Sequence, residues 1–412
     1  MIGYYTSNHD NVGAVGPQNS DKSAKEVQWY ESGIFWDALM NYAKITKDHQ
    51  YTTVVSNALS QASYGDAQSF LGTSAMQKLF ETIGGKWNDD LNWWALATLT
   101  GAELYGMKQT LVSTSAATYG GITENTFNQV QSDWDASCGG GIWWSRDRSN
   151  PKTKDYKSVI TNAQQMMIAT RLYGLTKNGT YLELAKQNYQ WMKSIGLITS
   201  AWHVLDGVTY SPNGCVLSEK EFSYSYGVLV GSLALLSKYT NDPSYASDAS
   251  NILDFSLSLF TVNNVFTDPC ESNNSCPVNS VSFKGSYIEG LTIYYQNTDD
   301  ESVKAKIQKV VDASALSLVQ NSCDANWGCY NTWQGQYAKI QTDFHSELNT
   351  FNLMNAVAAV HSSTNIQGAK AAPAYGGKTR STASITTSDA QSFNNGLTAS
   401  VILVVSLMTL AF

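Results

Sequence analysis

Apolar positions wrap nearly the whole circumference of residues 163–173 (AQQMMIATRLY) and 228–236 (VLVGSLALL), which predicts helices buried almost all round. Residues 181–191 (YLELAKQNYQW) keep one polar face and predict a helix on the outside. A short polar punctuation separates such stretches: Thr46-Lys47-Asp48 before Tyr51, Thr176-Lys177-Asn178 before Tyr181, Thr240-Asn241-Asp242 before Tyr245, and a looser Thr298-Asp299-Asp300. The spacing of the first three fits a unit of about 65 residues with one degenerate copy, and each unit reads as an inner and an outer helix. With only 7 Pro and few alternating runs, a sheet domain is hard to place. The expected fold is therefore all-α, a closed ring (toroid) of helical hairpins around a central cleft, with an open helical solenoid as the alternative.

Composition adds stacking surfaces to this scaffold. Of 412 residues 15% are charged and 12% aromatic, including 12 Trp and 23 Tyr. The net charge of −8 comes without a block of Lys or Arg, which argues against nucleic acid as a partner. Six cysteines and two glycan acceptor patterns, at Asn178 and Asn273, point to an oxidising compartment. Cys270 with Cys276, and Cys323 with Cys329, can each close a short loop, leaving Cys138 and Cys215, although fifteen connectivities are open to six cysteines. A zinc site is the competing use, but no pair has two-residue spacing and His9, His49, His203, His345 and His361 are scattered. No metal or cofactor is expected.

The run 399–412 is apolar but shorter than the ~20 residues of a membrane helix. A Ser/Thr-rich stretch, 361–396, precedes it and contains the small set Ser388-Asp389-Ala390. That is the layout of a signal for a glycolipid (GPI) anchor, with Ser388 as the expected attachment residue and Asn394 or Asn395 as alternates. The expected organisation is a body at 1–360, a linker at 361–396 and a removable tail at 397–412; a packed terminal helix is the alternative. Such an anchor needs entry into the secretory route, yet Met1-Ile2-Gly3-Tyr4-Tyr5 has neither a basic start nor an apolar run, so the expectation is either that a leader and some first structure are missing or that the true start differs.

Candidate chemistry centres on WNDDLNWW, residues 87–94. A helix is expected to start near Asp89 or Asp90, with Asn88 or Asp89 as N-cap after the Gly84-Gly85 loop. Neighbours inside a regular helix point about 100° apart, so the two acids can flank one bond if they straddle the junction between loop and helix. A retaining glycosidase needs its carboxyls about 5 Å apart, one as nucleophile and one as acid and then base. In each of the pairs Trp93-Trp94 and Trp143-Trp144, one ring is expected in the core and one in a cleft. The plainer reading is a capped helix start among core tryptophans. Glu219, Glu221 and Asp343 can touch a substrate, but nothing in their spacing assigns them.

In their order, Trp29-Tyr30-Glu31-Ser32-Gly33, Asn88-Asp89-Asp90, Cys138-Gly139-Gly140-Gly141-Ile142-Trp143-Trp144, Asp206-Gly207, Tyr224-Ser225-Tyr226-Gly227 and Phe283-Lys284-Gly285 resemble glycoside hydrolase family 76, the endo-α-1,6-mannanases, and its fungal GPI-anchored cell-wall branch. The resemblance implies an (α/α)6 barrel and a retaining mechanism without metal, with Asp89 as nucleophile and Asp90 as general acid/base. It places Asp206, Tyr226, Lys284 and the Trp143-Trp144 region around the sugar, to which Asn88 and Trp94 are added as neighbours of the acids. Ser225 departs from the family's usual Asn, and Glu289 from an Arg that often follows Phe-Lys-Gly. The expected substrate is α-mannan or the mannose core of GPI glycans, with β-glucan as an acceptor if the enzyme is a transglycosidase. The expected location is the outer face of the plasma membrane or the cell wall, through the lipid anchor. A non-catalytic wall-glycan binder is the competing class, and a structural anchor protein the third.

Overall fold

Two kinds of helix alternate along the chain, as the apolar pattern predicts. The structure is a computed structural model and describes residues 5, 13–15, 27–63, 69–70, 86–277, 280–324, 327–335 and 343–362. The inner helices are α1 (Trp29–Thr46), α3 (Asn88–Tyr105), α5 (Val159–Thr176), α7 (Ser223–Thr240), α9 (Phe283–Asn297) and α11 (Phe344–His361). Outside them lie α2 (Thr52–Ala62), α4 (Tyr119–Gln131), α6 (Gly179–Ser194), α8 (Pro243–Phe260) and α10 (Glu301–Asn321). Each inner helix packs on the next, and α11 packs back on α1, so the ring closes into an (α/α)6 barrel and the solenoid is excluded. Closure has polar ties as well as apolar ones: Asn355 Nδ2 donates to Ala38 O at 2.9 Å.

The recurring punctuation is the turn from an inner helix to its outer partner. Lys47, Lys177 and Asn241 end their helices at φ 64°, 59° and 55°, the left-handed cap that stops an α-helix. In all four copies the Thr hydroxyl then accepts the amide two residues on, at 3.2 Å each for Asp48, Asn178, Asp242 and Asp300. Asn178, Asp242 and Asp300 go on to cap the outer helix with their side chains. The degenerate copy follows Tyr105, where a longer loop ends at the Thr118 cap of α4. Two glycines mark where inner helices touch backbone to backbone: a Cβ on Gly33 would sit 2.9 Å from Trp94 N, and one on Gly290 only 2.0 Å from Gly227 O.

A small sheet that the sequence pattern did not suggest lies beside the helix N-termini. Strands β1 (Tyr156–Ser158), β2 (Gly207–Ser211) and β3 (Gly214–Leu217) pair antiparallel in that order, with Tyr156 opposite Thr209 and Ser158 opposite Gly207. These strands are only three to five residues long, too short for an alternating pattern to register. Cys138–Cys215 ties β3 to the glycine-rich loop, and Cys270–Cys276 and Cys323–Cys329 close short loops, as paired in the sequence. Asn178 and Asn273 are exposed. Among the described residues no helix is long and apolar enough to cross a membrane. Gly84-Gly85, His9, and the linker from 363 with Ser388, Asn394, Asn395 and the apolar tail lie outside the described residues.

Candidate active site

Helix α3 starts earlier than the sequence predicts. Trp87 is its N-cap, in extended conformation and without a side-chain cap, and Asn88, Asp89 and Asp90 are its first three helical residues. Asn88 cannot serve as a cap because its amide is engaged elsewhere. Nδ2 donates to Asp133 Oδ2 and to Trp143 O, both at 2.8 Å, and Oδ1 accepts from Arg146 Nη1 at 3.0 Å. Its backbone amide donates to Trp144 O at 2.9 Å, which draws the chain into the helix at this residue. The acids therefore do not straddle a junction. Both belong to the first turn, where Cβ atoms lean toward the N-terminal end of the helix.

The 100° divergence now separates their surroundings instead of separating them from the cleft. Asp89 is 8% exposed and Asp90 7%. Burial pushes Asp89 up to about 7; the Trp144 side chain and the amides of Asp89 and Asp90 favour its charged form, while the Asp206 charge opposes it. Burial drives Asp90 well above the usual carboxylate range, reinforced first by Asp89 and then by Glu31. Donors reach Asp89, although its Oδ1 is buried without a hydrogen-bond partner, while burial at Asp90 is reinforced by carboxylates alone, so Asp90 keeps its proton to higher pH.

Aromatic side chains wall the pair. Trp144 is half-buried, stacked on Trp87 at 4.2 Å and edge-on to Tyr156 at 5.8 Å. Tyr156 Oη donates to Asp206 Oδ2 at 2.5 Å, and Asp206, in the loop before β2, is itself raised by burial. Tyr224 lies flat on Phe283, with centroids 3.8 Å apart and planes 2° apart. Burial raises its phenol, and the charges of Asp206 and Asp89 add to the shift. Tyr30 is raised by burial, then by Glu31, Asp90 and Asp89, and its Oη lies 3.5 Å from Ser282 Oγ. Flat apolar faces beside hydroxyls and carboxyls suit a sugar ring, and the positive ends of the inner helices meet here and offset the acidic charge.

The sequence profile described as glycosyl hydrolase family 76 matches residues 1–372. The chain belongs to this family. It is a glycoside hydrolase. A related protein is the mannan endo-1,6-alpha-mannosidase DCW1 of Saccharomyces cerevisiae, 27% identical over 350 residues that cover 82% of this chain and 73% of that protein. Among solved structures, Dfg5 from Chaetomium thermophilum in complex with glucosamine superposes with a TM-score of 0.74 at 23% identity, over 88% of this chain and 87% of that one. The GH76A α-1,6-mannanase of Salegentibacter sp. HEL1_6 superposes with a TM-score of 0.68 at 19% identity, over 87% and 96% of the two chains; that match is an inactive variant, with two adjacent aspartates changed to asparagine, in complex with α-1,6-mannotriose.

In this family 76 chain, Asp89, Asp90, Asp206 and Trp144 come together, and five other expected sugar contacts are buried and engaged by other groups. Asn88 is fully buried and clamps Arg146 and Asp133. Trp94 is 0% exposed, stacked on Trp29 at 5.1 Å with Nε1 donating to Trp29 O, because an inner helix has neighbours on every side; Trp93 is buried too, so both rings of that pair lie in the core. Trp143 is buried with Arg148 and Lys157 over its ring, at 3.8 and 4.4 Å. Tyr226, one turn into α7, is fully buried; its Oη donates to Glu221 and accepts from Val204 N at 2.8 Å. Lys284 is buried against Glu271 at 2.5 Å and donates to Asn331 O at 2.9 Å. Glu289 lies in the barrel interior, accepting from Asn41 at 2.9 Å, and the Ser225 Oγ is buried without a hydrogen-bond partner. The sequence assigned no role to Tyr30, Glu31, Tyr156, Tyr224 or His345, although Tyr30, Glu31 and Tyr224 stand within motifs of the family resemblance. A concavity at the other end of the barrel is lined by Lys44, Glu103 and Arg171, and Glu103 pairs with both cations.

Proposed function

We propose that this chain is a retaining, endo-acting α-1,6-mannosidase whose nucleophile is Asp89 and whose general acid/base is Asp90. The observation that carries the reading is two buried carboxyls on one helix turn, both raised by burial, with Asp90 raised further because Asp89 and Glu31 face it. Asp89 bonds to the anomeric carbon while Asp90 gives its proton to the glycosidic oxygen, which leaves with the electron pair. Water or a sugar hydroxyl then gives its proton to the Asp90 carboxylate and displaces Asp89. The relatives named as mannan endo-1,6-alpha-mannosidases support mannan as substrate, and the mannose core of a GPI glycan is the second candidate. Trp144, Tyr224, Tyr156 with Asp206, and Tyr30 hold the sugar. Whether hydrolysis or transfer to β-glucan dominates depends only on which hydroxyl enters the cleft. Incubation with α-1,6-mannooligosaccharides, with and without a β-glucan acceptor, is expected to give shortened oligosaccharides alone and a mannosylated glucan with acceptor. Unchanged oligosaccharide in both tubes would sink the assignment.

The chain layout favours a catalytic body carried on a linker and a lipid anchor at the cell surface, with the apolar tail removed and Ser388 as attachment residue. Phosphatidylinositol-specific phospholipase is expected to release the protein from intact cells. A mature protein that retains residues 401–412 and resists the enzyme would contradict this.

A further inference from the structure

Two adjacent aspartates are the same chemical group, so the proton must be placed on one of them by what lies behind the pair. Behind Asp89 are donors: the Trp144 side chain and two helix amides. Behind Asp90 is Glu31, which is 0% exposed and stands on α1, the helix packed most intimately against α3 at Gly33. Glu31 Oε2 accepts from Gln28 N at 2.8 Å and pairs with His345 Nε2 at 3.0 Å. His345 Nδ1 is in turn 3.6 Å from Asp343 Oδ1. Burial alone would lower the imidazole, but Glu31 and Asp343 outweigh it and hold it at about 10, so it is a cation across the working range. Glu31 Oε1 is left buried without a hydrogen-bond partner. An orphaned carboxylate oxygen in a dry site favours a proton on whatever acid its field reaches, and that field falls on Asp90 and on Tyr30.

We propose that Glu31, locked in place by His345, is a positioning residue that keeps a fixed negative charge behind Asp90 and so makes Asp90, not Asp89, the proton donor. This rests on the reading of Asp89 and Asp90 given above. The groups that face Asp90 are Asp89 on its own helix and Tyr30 and Glu31 on α1; His345 and Asp343 from the start of α11 act on it through Glu31. His345 and Glu31 also join α11 to α1, so the joint that closes the barrel is the one that sets the acid.

The test compares two leaving groups in the full chain carrying Glu31→Gln, and in a second variant, Glu31→Gln with His345→Gln, which removes both charges and leaves no orphaned cation. An α-1,6-mannooligosaccharide needs its leaving oxygen protonated, whereas a dinitrophenyl α-mannoside does not. In both variants kcat on the oligosaccharide is expected to fall ~10²-fold, with the basic limb of the pH profile moved to lower pH, while kcat on the dinitrophenyl substrate stays within about threefold. Equal losses on the two substrates would mean a merely structural role and overturn the proposal, as would an unmoved basic limb. Should Asp89→Asn still cleave the oligosaccharide, the reading of the whole site would fall, and this proposal with it.

Discussion

Asp89→Asn is expected to fold, to bind mannooligosaccharides, and to lose turnover at least ~10⁴-fold, because the nucleophile that bonds to the anomeric carbon is gone. Asn is isosteric, and the Trp144 indole and the first-turn amides that approach Asp89 can meet its carbonyl oxygen equally well. Turnover and binding, measured on the same oligosaccharide, separate lost chemistry from lost recognition. The same substitution should raise stability, with a sign fixed by the ionisation. Folded Asp89 holds its proton up to about 7, while an unfolded Asp releases it near 3.9. The protonated carboxyl's contribution to stability is complete below the unfolded value and is lost as pH rises through about 7. Asn has no charge to bury, so the variant should melt several degrees above the parent at pH 8 and at about the same temperature near pH 3. A variant that melts lower at both pH values would show that the charged carboxylate stabilises the fold. Unchanged turnover would remove Asp89 from the chemistry.

The same first-turn logic explains which parts of the site were legible in the sequence. The helix pairs were, because burial all round leaves an uninterrupted apolar run in 163–173 and 228–236, and because the Thr hydroxyl bond to the following Asp or Asn amide repeats at every inner-to-outer turn. The acids were legible as a pair, but their placement was not: Asn88 has the composition of a cap and the bonding of a clamp, which only the distant Asp133 and Arg146 reveal. The surroundings of the acid pair are built from the first turns of several inner helices: Tyr30 and Glu31 on α1, Asp89 and Asp90 on α3, Tyr224 on α7, Phe283 on α9 and His345 on α11. Residues one turn deeper belong to the wall. Trp94, four residues beyond Asp90, is lost to the core in this way. Tyr226 is lost to the other face: two residues beyond Tyr224, it points about 200° round the helix from the ring that meets the acids. Tyr156 and Asp206 arrive from outside the helices, through short strands without a readable period. Position within the first turn of an inner helix is thus the signal that residue type alone does not carry.

Asp90→Asn is the second large effect, and it tests role rather than presence. On α-1,6-mannooligosaccharides, whose leaving oxygen must be protonated, kcat/KM should fall ~10³-fold, since a positioned acid contributes about 10²–10⁴. Burial, Asp89 and Glu31 all hold the Asp90 proton to high pH, so the parent should lose activity as pH rises through the Asp90 ionisation, and the variant should lack that basic limb. A dinitrophenyl mannoside removes the need for the acid, so its first step should proceed and leave the glycosyl-enzyme stranded, with no base to activate water. Azide needs no base. Attacking the anomeric carbon from the side opposite Asp89, it should restore turnover and give the α-mannosyl azide, because two inversions return the original configuration. If the roles were exchanged, Asp90→Asn would leave no nucleophile, and azide would attack the substrate directly to give the β-azide after a single inversion. The anomeric configuration of one product therefore decides which carboxyl on this helix turn takes the sugar and which handles the proton.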